Sequence, residues 1–321
     1  MTNTNEVKLP RRSQLRKWPG KCFLIVMLLA TRVISTAQTF TTLVNLDGSN
    51  GIATNSLVAS SLVQATNGSL YGTTNSGGMY NFGTIFKITP AGTLTTIYNF
   101  NLADGAGPVA GLVQATNGYL YGTTIIGGIN GADGHGTIFR ITPAGALTTM
   151  HRFRSSDGAG PTAGLVQATD GSLYGTTPAG GSNNYGTIFK ITTNGTFTSL
   201  HSFDATGTYP QAGLVQDTNG SFYGATSGGG TGDGTLFELS MGLGPFVKTL
   251  PTWGEVGSAV KILGTNLTGA TSVTFNGTPA VFTVVSAAEI TTTVPAGATS
   301  GNVQVVTPNA TLTSNVAFQV P

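Results

Sequence analysis

Short alternations of apolar and polar residues run along most of the chain and predict β-strands. The stretch LVQATNGSLYGTT begins at Leu62, and near copies begin at Leu112, Leu165 and Leu214. Each copy has two short apolar runs on either side of an Asn-Gly or Asp-Gly pair. Such pairs accept positive φ at both central positions of a type I′ hairpin turn. We therefore predict a tight hairpin in each copy.

A second pair of apolar runs follows each hairpin. The third run reads GTIFKIT at Gly83, GTIFRIT at Gly136, GTIFKIT at Gly186 and GTLFELS at Gly234. In the first three copies a glycine-bearing turn then leads into a fourth run, TLTTIYNF, ALTTMHRF or TFTSLHSF. Corresponding leucines lie 50, 53 and 49 residues apart, a period that matches one four-stranded propeller blade. The fold class predicted is all-β, with four such propeller-like units.

Such a unit cannot bury both of its faces alone, so neighbouring sheets must stack. We expect the recurring aromatic residues of the third run to pack between blades, namely Phe86, Phe139, Phe189 and Phe237. The fourth copy ends after Leu239 without a fourth run, and a matching segment, TFTTLVNL, occupies residues 39–46. We predict that this strand completes the last blade and closes a four-bladed ring of residues 38–241. The alternative is an open array, or part of a larger ring completed by a second chain.

The repeats resemble those of a bacterial exported family, the choice-of-anchor tandem repeat GloVer proteins. The shared blocks are GLVQAT-G-LYGTT, GG and GTIFKIT, which recur in fixed order over residues 39–240. The resemblance implies export and display at the cell surface. It supplies no catalytic residue.

The repeat period disappears after Gly242, and a different β pattern follows over residues 242–321. Alternation in VKIL, VTF, VFTVV, ITTTV, VQVV and VAFQV predicts about seven short strands, with turns at Asn276-Gly277 and at residues 295–297. The length suits a small immunoglobulin-like sandwich. The segment resembles an IPT/TIG domain through residues 254–257, 264–266, 275–277 and 294–297.

Composition and charge exclude some fold classes and some classes of binding partner. Only 8% of the 321 residues are charged and 47 are glycine, which is too apolar for disorder and too rich in glycine for a helical bundle. Seven of the 14 basic residues fall in residues 1–37, and the remainder of the chain has a formal net charge of −4. A basic nucleic-acid footprint is therefore absent from the predicted domains.

Residues 1–37 have the pattern of a secretory signal peptide. A basic start is followed by the apolar run CFLIVMLLA at residues 22–30 and by Ser35-Thr36-Ala37, and we predict cleavage after Ala37. An uncleaved anchor is the alternative, although the run is about half of the roughly 20 residues that a spanning helix needs. Since the single cysteine, Cys22, lies in this segment, we expect a secreted or surface protein without disulfides and without a stable membrane span.

Two aspartates recur at one repeat position and have two interpretations. Asp104-Gly105 and Asp157-Gly158 align with each other, and Asp47-Gly48 is their N-terminal counterpart. They could form a ring of carboxylates for Ca²⁺ or a cationic ligand. They could also be turns, in which Asp bonds its own backbone and Gly takes positive φ. The turn is favoured, because structural positions repeat with the fold whereas an active site is usually needed once.

Recurring tyrosines and histidines also have a structural alternative. The tyrosine of LYGTT could stack on sugar rings, or it could be a core residue with its hydroxyl bonded at the edge; its copies are Tyr71, Tyr121, Tyr174 and Tyr223. His151 and His201 align with Tyr98 and Val44, and His135 stands alone in a glycine loop. None has metal-ligand spacing. We therefore predict no catalytic, cofactor-binding or metal residue.

These patterns favour a secreted or surface-displayed, noncatalytic binding or structural protein. The expected partner is an extracellular polysaccharide or a cell-envelope protein, and neither a cofactor nor nucleic acid is implied. The alternative is an extracellular carbohydrate-active enzyme, a lyase or hydrolase, that uses loop carboxylates such as Asp133 in GGINGADGHG. In a third interpretation the repeats only space another element from the surface.

Overall fold

The computed structural model describes Thr42, residues 61–128 and residues 134–321. Apart from Thr42, these residues belong to one compact unit, Leu43–Pro321. Within them the regular elements are all β-strands, as predicted. The signal segment and the closing strand at residues 39–46 lie outside the described residues, except for Thr42, so both stay predictions.

Each of the first three repeats forms a four-stranded antiparallel sheet with its strands in chain order, which confirms the predicted unit. The first blade contains β1 (Val63–Gln64), β2 (Leu70–Thr74), β3 (Thr84–Ile88) and β4 (Leu94–Asn99). The second contains β5 (Val113–Gln114), β6 (Leu120–Thr124), β7 (Thr137–Ile141) and β8 (Leu147–Arg152). The third contains β9 (Val166–Gln167), β10 (Leu173–Thr177), β11 (Thr187–Ile191) and β12 (Phe197–Ser202).

The fourth blade is shorter in the described residues. A small ladder pairs β13 (Gly207–Thr208) with β16 (Gly228–Gly229), and the blade itself contains β14 (Val215–Gln216), β15 (Phe222–Thr226) and β17 (Thr235–Leu239). The next strand along the chain belongs to the C-terminal sandwich. The fourth copy therefore ends its own strands at Leu239, as the sequence indicates.

The repeated Asn-Gly turn differs from the prediction. In the first blade only Gly68 takes positive φ, at 78°. The amide of Gly68 donates to the carbonyl of Ala65 at 2.8 Å, and the amide of Ala65 donates to the carbonyl of Ser69 at 2.9 Å. This is a type I turn followed by a left-handed glycine, not a type I′ turn. Asn276 and Gly277 in the sandwich do take positive φ at both positions, 45° and 86°, as a type I′ turn requires.

Consecutive blades pack face to face through repeated residues. Each blade has a leading face, which carries the LYGTT tyrosine and the isoleucine of GTIF and meets the next blade. Its trailing face carries the recurring phenylalanine. At the first junction Tyr71 and Ile85 of one blade share a core with Phe139 and Ile141 of the next. The same arrangement joins the second blade to the third and the third to the fourth, which confirms the predicted role of Phe139, Phe189 and Phe237.

The two ends of this series are different. Phe86 of the first blade is buried against its own blade, beside Ile88, Leu70 and Leu94. On the leading face of the fourth blade, Leu236 is 89% exposed, whereas the aligned Ile138 is fully buried. Closure of the ring is not observed among the described residues.

A glutamine from each blade bridges back to the blade before it. At the first junction the Oε1 of Gln114 accepts a hydrogen bond from the amide of Thr66 at 2.8 Å. Its Nε2 donates to the Thr66 hydroxyl at 3.4 Å and to the Gly118 carbonyl at 3.0 Å. Gln167 and Gln216 repeat all three bonds with Thr116 and Thr169 at the next two junctions. Gln64 of the first blade is exposed.

We expect Gln216→Leu to destabilise the repeat domain by about 2 kcal/mol, because it removes these bonds at a buried position and leaves the amide of Thr169 without its partner. Equilibrium denaturation in urea measures the loss. The matched control is Gln64→Leu at the aligned exposed position, for which we expect a change within about 0.5 kcal/mol. Equal losses for both variants would contradict the bridging role.

The C-terminal segment forms a sandwich of two four-stranded sheets. One sheet has the order β18 (Lys248–Leu250), β19 (Ala259–Leu263), β23 (Glu289–Thr293), β22 (Phe282–Ser286). The other has the order β21 (Thr278–Pro279), β20 (Ser272–Phe275), β24 (Val303–Val306), β25 (Thr311–Thr313). Their facing residues, among them Ile262, Val273 and Val305, form a separate core. Eight strands replace the predicted seven, since a two-residue strand follows the Asn276-Gly277 turn.

The sandwich contacts the fourth blade at Thr218. This residue aligns with Thr66, Thr116 and Thr169, which bond to the bridging glutamine of the next blade. The hydroxyl of Thr218 lies 2.8 Å from that of Thr265, and the carbonyl of Thr218 accepts a hydrogen bond from the amide of Phe246 at 3.0 Å. The ammonium of Lys248 donates to the carbonyl of Gln216. Burial lowers the pKa of Lys248, and the nearby Asp217 opposes that shift. Thr218 therefore contacts the sandwich at the repeat position where Thr66, Thr116 and Thr169 contact the next blade, but through different atoms.

Candidate binding face

Two kinds of loop lie at the same end of each of the first three blades. Thr84 pairs with Thr74 on one side and with Asn99 on the other, so the loop between β2 and β3 and the connection after β4 lie at that end. The amide of Gly107 in this connection donates to the Phe82 carbonyl at 3.0 Å. We call this end the loop face; it comprises residues 75–83, 100–110, 125–128, 134–136, 153–163, 178–186, 203–212 and 227–234.

The carboxylates of the recurring aspartates on the loop face accept hydrogen bonds from their own turns. The Oδ1 of Asp104 accepts a hydrogen bond from the amide of Asn101 at 3.0 Å, and its Oδ2 accepts one from the Tyr98 hydroxyl. Burial and the Asp104 carboxylate together raise the pKa of Tyr98. The Oδ1 of Asp157 likewise accepts from the amide of Arg154 at 2.8 Å. These contacts support the turn interpretation; Asp47 lies outside the described residues.

His151 takes the place of Tyr98 in the second blade. Its ring stacks on Phe197 at a centroid distance of 3.7 Å and meets Phe153 edge-on. Its Nε2 lies 3.2 Å from the Oδ2 of Asp157, close enough for an ion pair when the ring is protonated, although no well-directed hydrogen bond forms. Burial lowers the pKa of His151; Asp157 opposes this shift and Arg154 adds to it. The neutral ring is therefore a packing element.

The lowered pKa predicts an acid-sensitive second blade. Below the ordinary histidine pKa of about 6.5, the unfolded chain binds a proton that folded His151 resists, so stability falls as the pH falls. We expect His151→Tyr, which copies the first blade, to reduce the stability difference between about pH 7.5 and pH 5.5. Urea denaturation at both values measures it, and an unchanged difference would contradict the prediction. His201→Tyr, at the aligned exposed position, controls for adding a tyrosine.

The recurring tyrosines are core residues. Tyr71, Tyr121 and Tyr174 are fully buried, and their hydroxyls bond to the side chain of the residue directly before each turn glycine. The side-chain amide of Asn67 donates to the Tyr71 hydroxyl at 2.9 Å, and those of Asn117 and Asn219 donate likewise to Tyr121 and Tyr223. In the third blade the direction is reversed, and the Tyr174 hydroxyl donates to the Oδ2 of Asp170 at 3.0 Å. The sugar-stacking interpretation is therefore wrong for the first three copies. Tyr223, 39% exposed, lies on the leading face of the fourth blade.

Exposed apolar side chains on the loop face do not follow the repeat. Met79 and Tyr80 are 76% and 52% exposed in the first blade, and Tyr209 is 44% exposed between the third and fourth. Aligned positions hold different residues: Gly107 and Gly160 correspond to Tyr209. Because these residues do not recur, the repeat pattern gives no indication of them. The signal that identifies them is the departure of one copy from the others.

Other candidate chemistry is sparse in the described part of the chain. No group of three or more His, Cys, Asp and Glu side chains there could hold a metal ion. The carbonyl of His135 accepts a hydrogen bond from the amide of Gly160 at 2.9 Å, and Asp133 lies outside the described residues. No helix in those ranges is long and apolar enough to cross a membrane.

Comparison with protein families identifies both domains. The model of the Gloeobacter/Verrucomicrobia repeat matches residues 59–281, and that of the IPT/TIG domain matches residues 246–320. The matches overlap over residues 246–281, where the strands belong to the sandwich. A comparison with curated proteins found no match.

Solved structures give only distant likenesses. A luciferin-regenerating enzyme is 13% identical, with a TM-score of 0.38, over 58% of this chain and 62% of its own, so this chain spans less than two thirds of it. A gluconolactonase from Xanthomonas campestris is 15% identical, with a TM-score of 0.37, over 73% and 71%. A fungal alcohol oxidase in complex with copper is 12% identical, with a TM-score of 0.31, over 81% and 74%. These likenesses assign no activity to the chain.

Proposed function

We propose, since this chain belongs to the Gloeobacter/Verrucomicrobia repeat family and carries an IPT/TIG domain, that it is a noncatalytic binding protein outside the cell. The expected partner is an extracellular polysaccharide or a cell-envelope protein. The predicted signal segment at residues 1–37 supports the location. The sandwich is the second module, held to the last blade through Lys248 and Thr218.

The observation that carries this proposal is a difference in environment: repeated side chains are engaged within the framework, and unrepeated ones are exposed to solvent. Repeated polar side chains, such as Asp104, Asp157 and Gln114, are bonded within the framework. Unrepeated apolar side chains, such as Met79 and Tyr209, are exposed on the loop face. Exposed aromatic and methionine side chains are typical of binding surfaces. We therefore place binding on the loop face.

The test is isothermal titration of the purified protein with soluble polysaccharides: laminarin, dextran and xyloglucan as neutral probes and alginate as a charged one. Release of reducing ends and of unsaturated products is followed in parallel. Binding of at least one probe without turnover supports the proposal. Turnover would favour the carbohydrate-active enzyme, with Asp133 as the first residue to substitute. No binding across the panel would contradict polysaccharide recognition.

A further inference from the structure

Tyr209 has a backbone conformation that tyrosine rarely adopts. Its φ is 59°, in the left-handed region, which costs a residue with a Cβ about 1–2 kcal/mol. The aligned residues Gly107 and Gly160 have φ of 65° and 62°, so the connection between blades requires this conformation. Four of the six non-glycine residues with positive φ in the described ranges are asparagines, which tolerate it better. Tyrosine at position 209 therefore does not stabilise the local backbone.

The structure around Tyr209 holds its ring against a second unrepeated tyrosine. The amide of Tyr209 donates to the carbonyl of Tyr185 at 2.9 Å. The two rings meet edge to face, with centroids 6.0 Å apart and an interplanar angle of 82°. The hydroxyl and the amide of Ser227 donate to the Tyr209 carbonyl at 3.1 and 3.2 Å. Backbone and ring contacts thus fix an aromatic corner at the junction of the third and fourth blades.

The other junctions do not have this corner. Phe82 and Gly107 occupy the equivalent positions at the first junction, and His135 and Gly160 occupy them at the second. A core position would repeat with the fold, as Tyr71 does, whereas a ligand site is needed once. A strained residue that the fold does not require points to a function at that position.

The chemistry of the corner favours a neutral sugar. A pyranose presents an apolar C–H face that can stack on a tyrosine ring, and its hydroxyls bond to neighbouring polar groups. The residues that directly precede the two tyrosines are uncharged: Ser182 and Asn183 before Tyr185 are exposed, and Thr208 before Tyr209 is buried. Tyr209 is 44% exposed, so a ring can reach it from solvent.

From these observations we propose that Tyr185 and Tyr209 form a binding site for a neutral polysaccharide, with Tyr209 as the stacking residue and Tyr185 as its support. The inference rests on the proposed binding function and assigns it a site and a ligand class. It predicts that neutral glucans bind more tightly than alginate.

The test compares Tyr209→Gly and Tyr185→Leu with the wild-type protein in titrations with laminarin, dextran and xyloglucan. We expect each variant to lose affinity about tenfold or more, equivalent to about 1.4 kcal/mol. Trp253→Ala, at an exposed aromatic residue of the sandwich and away from the loop face, is the control and should stay within about twofold. Because Tyr209→Gly restores the residue of the other blades, we expect it to keep or raise the stability in urea.

The outcomes separate this site from the general proposal. If the wild type binds a neutral glucan and Tyr209→Gly binds it equally well, the site is wrong while the binding function stands. If Tyr209→Gly lowers stability, Tyr209 serves the fold and the site is also wrong. Tighter binding of alginate would overturn the ligand class. No binding by the wild type would overturn both the site and polysaccharide recognition.

Discussion

Phe139→Ala is expected to destabilise the repeat domain by about 3–5 kcal/mol. The ring is fully buried at the first junction between blades and meets Phe100 edge-on at a centroid distance of 5.3 Å. It also covers Gly122, where an added Cβ would lie 2.6 Å from the ring. Truncation removes contacts with both blades and leaves a cavity that the two β-sheets cannot close by collapse.

Urea denaturation followed by circular dichroism measures this loss, and the fluorescence of Trp253 in the sandwich provides an internal reference for the other domain. Leu236→Ala is the control, since this apolar residue of the third run is 89% exposed; we expect a change within about 0.5 kcal/mol. A large loss for Leu236→Ala would show that its face is covered in solution, as the predicted ring closure requires.

Gly136→Ala is expected to cost about 3–4 kcal/mol, the second-largest effect. Gly136 has φ of 93° and follows the loop that leads into β7. A Cβ at this position would overlap the carbonyl oxygen of Thr124 and lie 3.1 Å from Pro161. The left-handed conformation accounts for about 1–2 kcal/mol and the overlap with the backbone for the remainder.

Gly118→Ala separates these two contributions. Gly118 has a similar φ of 82°, but a Cβ there would meet nothing within 4 Å. We therefore expect a cost of only about 1–2 kcal/mol in the same denaturation experiment. Equal losses for the two variants would mean that backbone conformation alone accounts for the cost at Gly136.

The pairing of Tyr185 with Tyr209 could not be predicted from the repeat pattern. Tyr185 and Tyr209 belong to different loops, and only the stacking of the third and fourth blades brings their rings to 6.0 Å. The recurring Tyr71 drew attention first, yet it is fully buried. A comparison of aligned copies can find Tyr209 as the departure from Gly107 and Gly160, but it cannot show the partner.

The strands of each repeat, the end of the fourth copy at Leu239 and the sandwich that follows could all be predicted from the amino-acid sequence. These features depend on the local alternation of apolar and polar residues and on turn residues, and both recur in every copy. The type of turn at Asn67-Gly68, the burial of Tyr71 and the hydrogen bonds to both carboxylate oxygens of Asp104 are seen only in the folded structure. The same holds for the contact of Thr218 with the sandwich. Each of these depends on which surfaces of distant segments meet, and a periodic pattern is the same whichever neighbour it packs against.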